Sequence, residues 1–354
     1  MNWDTLDWAV LDRLRDRFLN PTPPAASYWL SPADLANYDL TYGQRIAWKW
    51  DAVLAELQRR RWLPPARTVF DWGCGSGLAG RRVVECFGPD HFEALHVFDR
   101  SGLAMDFARQ AAKEFFPKLA VECADSRWLE GSAPIGVLVV SHVLNELPPH
   151  QRDALLRLAA RAEAVLWVEP GTLVDSRALI AVREALHDRL DVVAPCTHQA
   201  ACGLLTPDND RHWCHHFASP PPNIMADPRW VQFAQRAGID LRRLPYSFLV
   251  LEQKERRVQT GFEPGPPISV AGCSRIIGAP RVYKPFARIL SCQAEGVRDL
   301  ILQKRDAPEL FQQMKKSRHE PVYRWALEGN QIKAGQAVIS PAPSEPSASS
   351  LGSP

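Results

Sequence analysis

The nine residues Val69-Phe70-Asp71-Trp72-Gly73-Cys74-Gly75-Ser76-Gly77 constrain this chain more than any other stretch. A short apolar run at 68–71 leads in, and a helix-like run at 78–87 leads out. Glycines at every second position let a backbone come close to a ligand, and the following helix offers free N–H groups. The Gly-x-Gly-x-Gly spacing differs from the Gly-x-Gly-x-x-Gly of dinucleotide folds. A turn of this kind sits at the carboxyl end of a parallel strand, so the rest of the chain must supply a sheet layered with helices.

It does. Strands are expected at 96–99, 119–123, 135–141 and 165–169, and helices at 101–116 and 150–164. The unbroken apolar run 135–141 reads as a central parallel strand. Asp175 or Ser176 is placed to cap a further helix with Leu179, Val182, Leu186 and Leu190 on one face. A helix at 228–237 and a strand at 247–253 follow. Such alternation specifies an α/β fold with a doubly wound, Rossmann-like parallel sheet.

Residues 1–65 read as an N-terminal helical segment, broken at Pro21-Thr22-Pro23-Pro24. Its later helix, 47–61, carries Trp48, Val53, Leu54 and Leu57, and Pro64-Pro65 ends it. The sheet domain spans 66–255 and is interrupted at 191–227 by an irregular stretch, too long for a compact domain unless something orders it. Residues 256–335 form a basic extension in which 288–292 and 297–303 flank Gly296 as a hairpin. The tail, 336–354, is rich in Pro, Ser and Ala and is expected to be disordered.

With 354 residues, 46% hydrophobic and 23% charged, the chain can bury a large core. No apolar run nears the roughly 20 residues that span a bilayer, so no membrane partner is expected. The acidic start, Met1-Asn2-Trp3-Asp4, lacks a signal core, which points to a cytoplasmic, reducing compartment. Eight cysteines there are core residues or metal ligands rather than disulfides. Residues 241–334 hold 17 Lys+Arg against 9 Asp+Glu, a local surplus of eight, while the whole chain carries +2. A basic C-terminal third suits a polyanion such as RNA, or is simply a solvated surface.

Asp99 ends the second strand, where a carboxylate meets the two ribose hydroxyls of an adenosine. Asp125 follows the third strand, where an acid meets an adenine amino group. Ser141-His142 opens the loop after the fourth strand, and Glu169-Pro170-Gly171-Thr172 ends the fifth. This set resembles the class I S-adenosylmethionine-dependent methyltransferases over about 66–255. The resemblance implies that Asp71, Gly73, Gly75, Gly77, Asp99, Asp125 and Ser141 bind S-adenosylmethionine. Methyl transfer from a sulfonium needs mainly positioning and a proton acceptor. His142 and Glu169 are weak catalytic candidates, since the loop lacks the Asn/Asp-Pro-Pro-aromatic signature of amino-methylating enzymes.

Cys196, Cys202 and Cys214 fall within 19 residues of polar loop rather than in apolar periodic segments like those of Cys86 and Cys123. Soft thiolates suit zinc or an iron–sulfur cluster. His198, His212, His215 and His216 keep a Cys3His zinc site open, and a fourth thiol is available from Cys273 or Cys292.

Pro195-Cys196-Thr197-His198, Trp213-Cys214-His215, Ser274-Arg275-Ile276-Ile277, Pro280, Lys284, Ile289-Leu290-Ser291-Cys292 and Tyr323-Arg324 are similar to the methyltransferase-like small-ribosomal-subunit proteins, over about 38–326. Two stretches depart from that pattern: 216–220 after Trp-Cys-His, and Cys74 and Ser76 in the glycine turn. The resemblance implies a 4Fe–4S cluster on Cys196, Cys202, Cys214 and Cys292, a class I methyltransferase sheet, and action on small-subunit rRNA or its assembly. It also implies a monomer off the ribosome. Arg275, Arg281, Lys284 and Arg288 are then expected to meet rRNA phosphates. Two alternatives stand beside this reading: a non-catalytic rRNA-binding assembly factor, and a small-molecule methyltransferase with structural zinc.

Overall fold

The computed structural model describes residues 3–19, 29–254, 268–317 and 319–339. The proline break at 21–24 and the tail beyond 339 lie outside these residues. Helices α1 (Trp8–Leu19) and α2 (Pro32–Tyr38) lead through a π-helical turn, Asp39–Gly43, into α3 (Gln44–Arg59). Ser31 caps α2 by accepting from Asp34 N. Helix α3 stops before Pro64-Pro65, because Arg61 takes a left-handed φ of 57°.

The sheet domain runs β1 (Thr68–Trp72), α4 (Leu78–Phe87), β2 (Ala94–Phe98), α5 (Gly102–Phe115), β3 (Ala120–Cys123), α6 (Ser126–Glu130), β4 (Ile135–Ser141), α7 (Pro149–Ala159), β5 (Ala162–Pro170), α8 (Leu173–Leu186), β6 (Leu190–Ala194), β7 (His216–Ala218), α9 (Pro228–Ala237) and β8 (Leu244–Gln253). The strand order is β3-β2-β1-β4-β5-β8-β6, with β7 also on β8. Pairings from β3 to β5 are parallel, whereas β8 lies antiparallel between β5 and β6. Strand β4 is central and buried, as its apolar run requires. One core layer packs α3, α4 and α9 on the sheet, and a second packs α7 and α8 on the other face. Trp50, Trp167, Phe70 and Phe233 are fully buried, each contributing about 1.5–3 kcal/mol.

Local reading misplaced several boundaries. The helix expected at 150–164 ends at Ala159, because Ala162 already pairs with Ile135 of β4. The cap of α8 is Thr172, which accepts from Asp175 N, rather than Asp175 or Ser176. Leu190 belongs to β6, not to the helix. The stretch 191–227 is not irregular throughout: β6 and β7 are recruited by β8, tens of residues downstream.

The C-terminal part holds β9 (Ser274–Ile276), β10 (Arg281–Val282), β11 (Phe286–Gln293), β12 (Gly296–Gln303), α10 (Pro308–Lys315), β13 (Val322–Glu328) and β14 (Gln331–Ala337). Strand β14 passes the boundary at 336 expected for the tail. β9, β11 and β12 form an antiparallel meander, β14 pairs parallel with β12, and β13 joins β14 back to β9. The ring of pairings closes a small barrel filled by Ile289, Leu300, Leu302, Phe311 and Ile332.

Candidate cofactor cavity and cysteine cluster

The glycine turn opens into a cavity of about 690 Å3 lined by Gly73, Gly75, Asp99, Ser141 and His142, with Trp29 and Tyr38 from the N-terminal segment. Gly73 has φ 70°, and a Cβ there would lie 2.8 Å from Val143 Cγ1. Gly77 has φ 74° and sits against α5, where a Cβ would meet Ala108 Cβ at 2.6 Å. Gly75 N donates to Asp99 Oδ2 at 3.0 Å, and Ser101 N donates to Oδ1 at 2.9 Å. Burial raises the Asp99 carboxyl above its usual value, and these N–H groups oppose the rise.

Four expected site residues do not line this cavity. Asp71 is buried beneath the turn, where its Oδ2 accepts from Gly80 N at 3.0 Å and burial pushes it up to about 7. Gly77 packs on α5 instead. Asp125 is exposed; it caps α6 through Arg127 N and pairs with the Arg127 side chain. Glu169 is fully buried, and its Oε1 accepts from Val143 N, Leu144 N and Trp167 Nε1. It holds the loop after β4 rather than facing a substrate. Burial raises it to about 7.

The cavity wall contains one group the sequence reading missed. Lys49 of α3 places Nζ 3.1 Å from His142 Nε2. His142 Nδ1 lies 3.3 Å from Ser141 Oγ, which in turn accepts from Trp50 Nε1 at 3.0 Å. His142 has φ 56°, a left-handed conformation costing on the order of 1 kcal/mol outside glycine. Burial lowers Lys49 to about 7 and, with the Lys49 charge, lowers His142 well below its usual value. Near neutral pH the imidazole is thus uncharged, while the Lys49 amine stands close to the midpoint of its titration. Its only sequence signal is a lysine between Trp48 and Trp50 on an apolar helix.

The loop thiols lie within electrostatic reach of Cys292. Burial first, then Cys196, Cys292 and Cys202, raise Cys214 well above a normal thiol. Burial, then Cys196 and Cys202, raise Cys292. Cys202, Cys214 and Cys292 share one apolar cluster with Leu204, Ile277 and Val297. Cys273 stands apart, buried with Val322 and Ile339. His198 Nε2 lies 3.8 Å from Cys292 Sγ, and His216 Nε2 lies 3.7 Å from Cys214 Sγ. His215 stacks on Trp213 instead, and His212 Nε2 accepts from Arg211 Nε. Buried Arg183 Nε, His198 Nδ1 and Arg275 Nε have no partner. Among the described residues, no three His, Cys, Asp or Glu side chains converge as a single metal ion requires.

Arg275 is not a surface cation, contrary to expectation. It is buried, with Nη2 donating to Glu56 Oε2 at 2.9 Å and Nη1 to Oε1. Arg60 shares the same carboxylate and donates Nη1 to Val193 O at 2.6 Å and Nη2 to Pro195 O at 3.2 Å. Helix α3, the start of the cysteine loop and barrel strand β9 therefore meet at one carboxylate. Arg281 and Arg288 do reach the surface and share Asp299.

Residues 43–324 match the family described as "Mitochondrial small ribosomal subunit Rsm22". No curated protein matches the chain significantly. Similar solved structures include magnesium protoporphyrin IX methyltransferase from Synechocystis PCC 6803 with bound SAH, at 14% identity and TM-score 0.39, covering 71% of this chain and 97% of that one. Precorrin-6y C5,15-methyltransferase from Geobacter metallireducens GS-15 follows at 12% and 0.36, covering 58% and 88%. The 23S rRNA methyltransferase ErmE gives 12% and 0.31, covering 59% and 70%. Among the described residues no helix is long and apolar enough to cross a membrane.

Proposed function

The chain belongs to the mitochondrial small ribosomal subunit Rsm22 family, and on that premise we propose that it binds S-adenosylmethionine and acts on small-subunit RNA. The observation that carries this is the cavity: a glycine turn with left-handed φ values opens into about 690 Å3, with Asp99 in its wall. That volume suits a nucleoside-sized ligand. Asp99 is positioned to accept from ribose hydroxyls, and the turn lets the cofactor lie against backbone.

When bound, the cofactor supplies a methyl already activated on sulfonium sulfur. The protein's part is orientation and a proton acceptor. Trp50 and Ser141 fix the His142 ring, and His142 faces Lys49 Nζ. A lysine held near neutrality by burial takes a proton from the acceptor more readily than an ordinary one.

The same reading assigns a 4Fe–4S cluster to Cys196, Cys202, Cys214 and Cys292. Its support is the donor set: four free thiols in mutual reach. Soft thiolates are the ligands of such a cluster and equally of zinc, so metal analysis separates the two. The cluster would stitch the loop to the barrel. Eight unpaired cysteines also fit a reducing compartment that houses ribosomes.

The test is calorimetric titration of anaerobically purified protein with S-adenosylmethionine, together with co-sedimentation with small subunits. Heat of binding and small-subunit association are expected. Metal-loaded protein that gives neither would sink the reading.

A further inference from the structure

The barrel has a specific connectivity. Its first three strands, β9, β11 and β12, form a meander; helix α10 follows; the fourth strand, β13, closes on the first, and the fifth, β14, runs parallel to the third. That is the connectivity of the OB-fold, whose second and third strands and adjoining loops bind oligonucleotides and oligosaccharides.

The outer face of β11–β12 is divided here. Ala287, Ile289, Leu300 and Leu302 point into the barrel, so Phe286, Arg288, Leu290 and Cys292 alternate outward. At one end Leu290, Cys292 and Val297 pack against the cysteine loop. Gly203 of that loop comes so close that a Cβ would lie 2.8 Å from Gly296 Cα. This end is closed.

The other end is open and has the chemistry of a nucleic-acid surface. Strand β10 pairs with the start of β11 and leads into Tyr283, which is 49% exposed and stacks on Phe286 at 4.8 Å and 27°. Arg281 donates to Asp299 Oδ2 at 2.6 Å, and Arg288 Nη2 forms an ion pair with the same oxygen at 2.7 Å. Both guanidiniums stay nearly half exposed, and Arg288 Nε has no partner. One carboxylate between two arginines leaves a net positive charge. Lys284 and Lys304 are exposed alongside, with Lys304 N donating to Pro285 O.

We propose that this open half of the β11–β12 face binds a short unpaired stretch of RNA, one base stacking on Tyr283 and neighbouring phosphates meeting Arg281 and Arg288. The assignment rests on the small-subunit reading above and names what that reading touches. An exposed ring beside cations selects unpaired bases, because a base inside a duplex cannot offer its face to a side chain.

The test is fluorescence anisotropy of the full chain with a short labelled oligouridine and, separately, a hairpin duplex. The single strand is expected to bind more tightly, and Tyr283→Ala to weaken it about tenfold or more, with Tyr283→Phe retaining affinity. The double variant Arg281→Gln, Arg288→Gln should lower the logarithmic salt slope by roughly 0.7 per lost phosphate contact. Unchanged melting temperatures exclude misfolding, since these side chains are exposed. Equal affinity for the duplex, or a Tyr283→Ala effect within about twofold, overturns the inference. Co-sedimentation with small subunits separates the two claims. If it persists while oligouridine binding fails, only the barrel assignment falls; if both fail, the small-subunit reading falls with it.

Discussion

Arg275 of the barrel grips both carboxylate oxygens of Glu56 on α3, although 219 residues separate them. Burial alone would raise Glu56, but Arg275 and then Arg60 bring it down to about 2. A carboxyl depressed in the fold adds stability above its unfolded value, here near 4.5, and loses it as pH falls toward 2. Urea denaturation should therefore show native protein losing stability between about pH 4.5 and 2. Glu56→Gln should flatten that segment and cost roughly 3–5 kcal/mol at neutral pH, because two buried guanidiniums lose their counter-charge. An unchanged acid profile in the variant would show that the ion pair carries no linkage.

Lys49 costs stability where Glu56 adds it, although both make stability rise with pH. Its ammonium form is disfavoured by burial, so the unfolded chain binds a proton that the folded chain does not between about 7 and 10.5. Stability should rise with pH across that window. Lys49→Met should remove the rise and stabilise the protein at neutral pH by on the order of a few kcal/mol. With Lys49 as the proton acceptor of the proposed function, the same variant loses methyl transfer while keeping S-adenosylmethionine binding.

In the proposed function Asp99 carries the cofactor contact. Asp99→Ala should weaken S-adenosylmethionine by about 1–3 kcal/mol in calorimetry, since ribose hydroxyls lose an acceptor. Asp125→Ala, whose carboxylate pairs with Arg127 outside the cavity, should leave affinity unchanged. Equal losses in both variants would mean the cofactor extends beyond the cavity described.

Gly77→Ala tests the turn itself. Its Cβ would sit 2.6 Å from Ala108 Cβ at a φ that favours glycine. We expect a destabilisation of more than about 1 kcal/mol by thermal denaturation, with weaker cofactor binding as the turn shifts.

The cysteine assignment is checked by spectrum and elemental analysis. Protein purified without oxygen should be brown, with about four irons and acid-labile sulfide per chain, as a cysteine-bound cluster requires. Cys292→Ser should lose the metal and Cys273→Ser should keep it, because Cys273 lies in a separate buried cluster. Stoichiometric zinc without sulfide would overturn the cluster.

Much of this protein was legible along the chain. The run 78–87, the run 135–141 and the helix 228–237 fall where periodicity puts them, because each forms through local hydrogen bonds or buries an uninterrupted apolar strand. The glycine turn with Asp99 was legible for the same reason: a left-handed backbone demands glycine where it stands. The sequence alone thus determined the layered sheet, the glycine turn and the grouping of three loop cysteines. It could not show that Arg275 is buried, because its partner Glu56 lies at the other end of the chain. Lys49 gained its place in the cavity only when α3 packed it against His142. Strands β6 and β7 are held by β8, and the barrel closes only when β13 meets β9. Those outcomes depend on contacts between distant segments, whose partners no local pattern encodes, so the tertiary structure alone decided them.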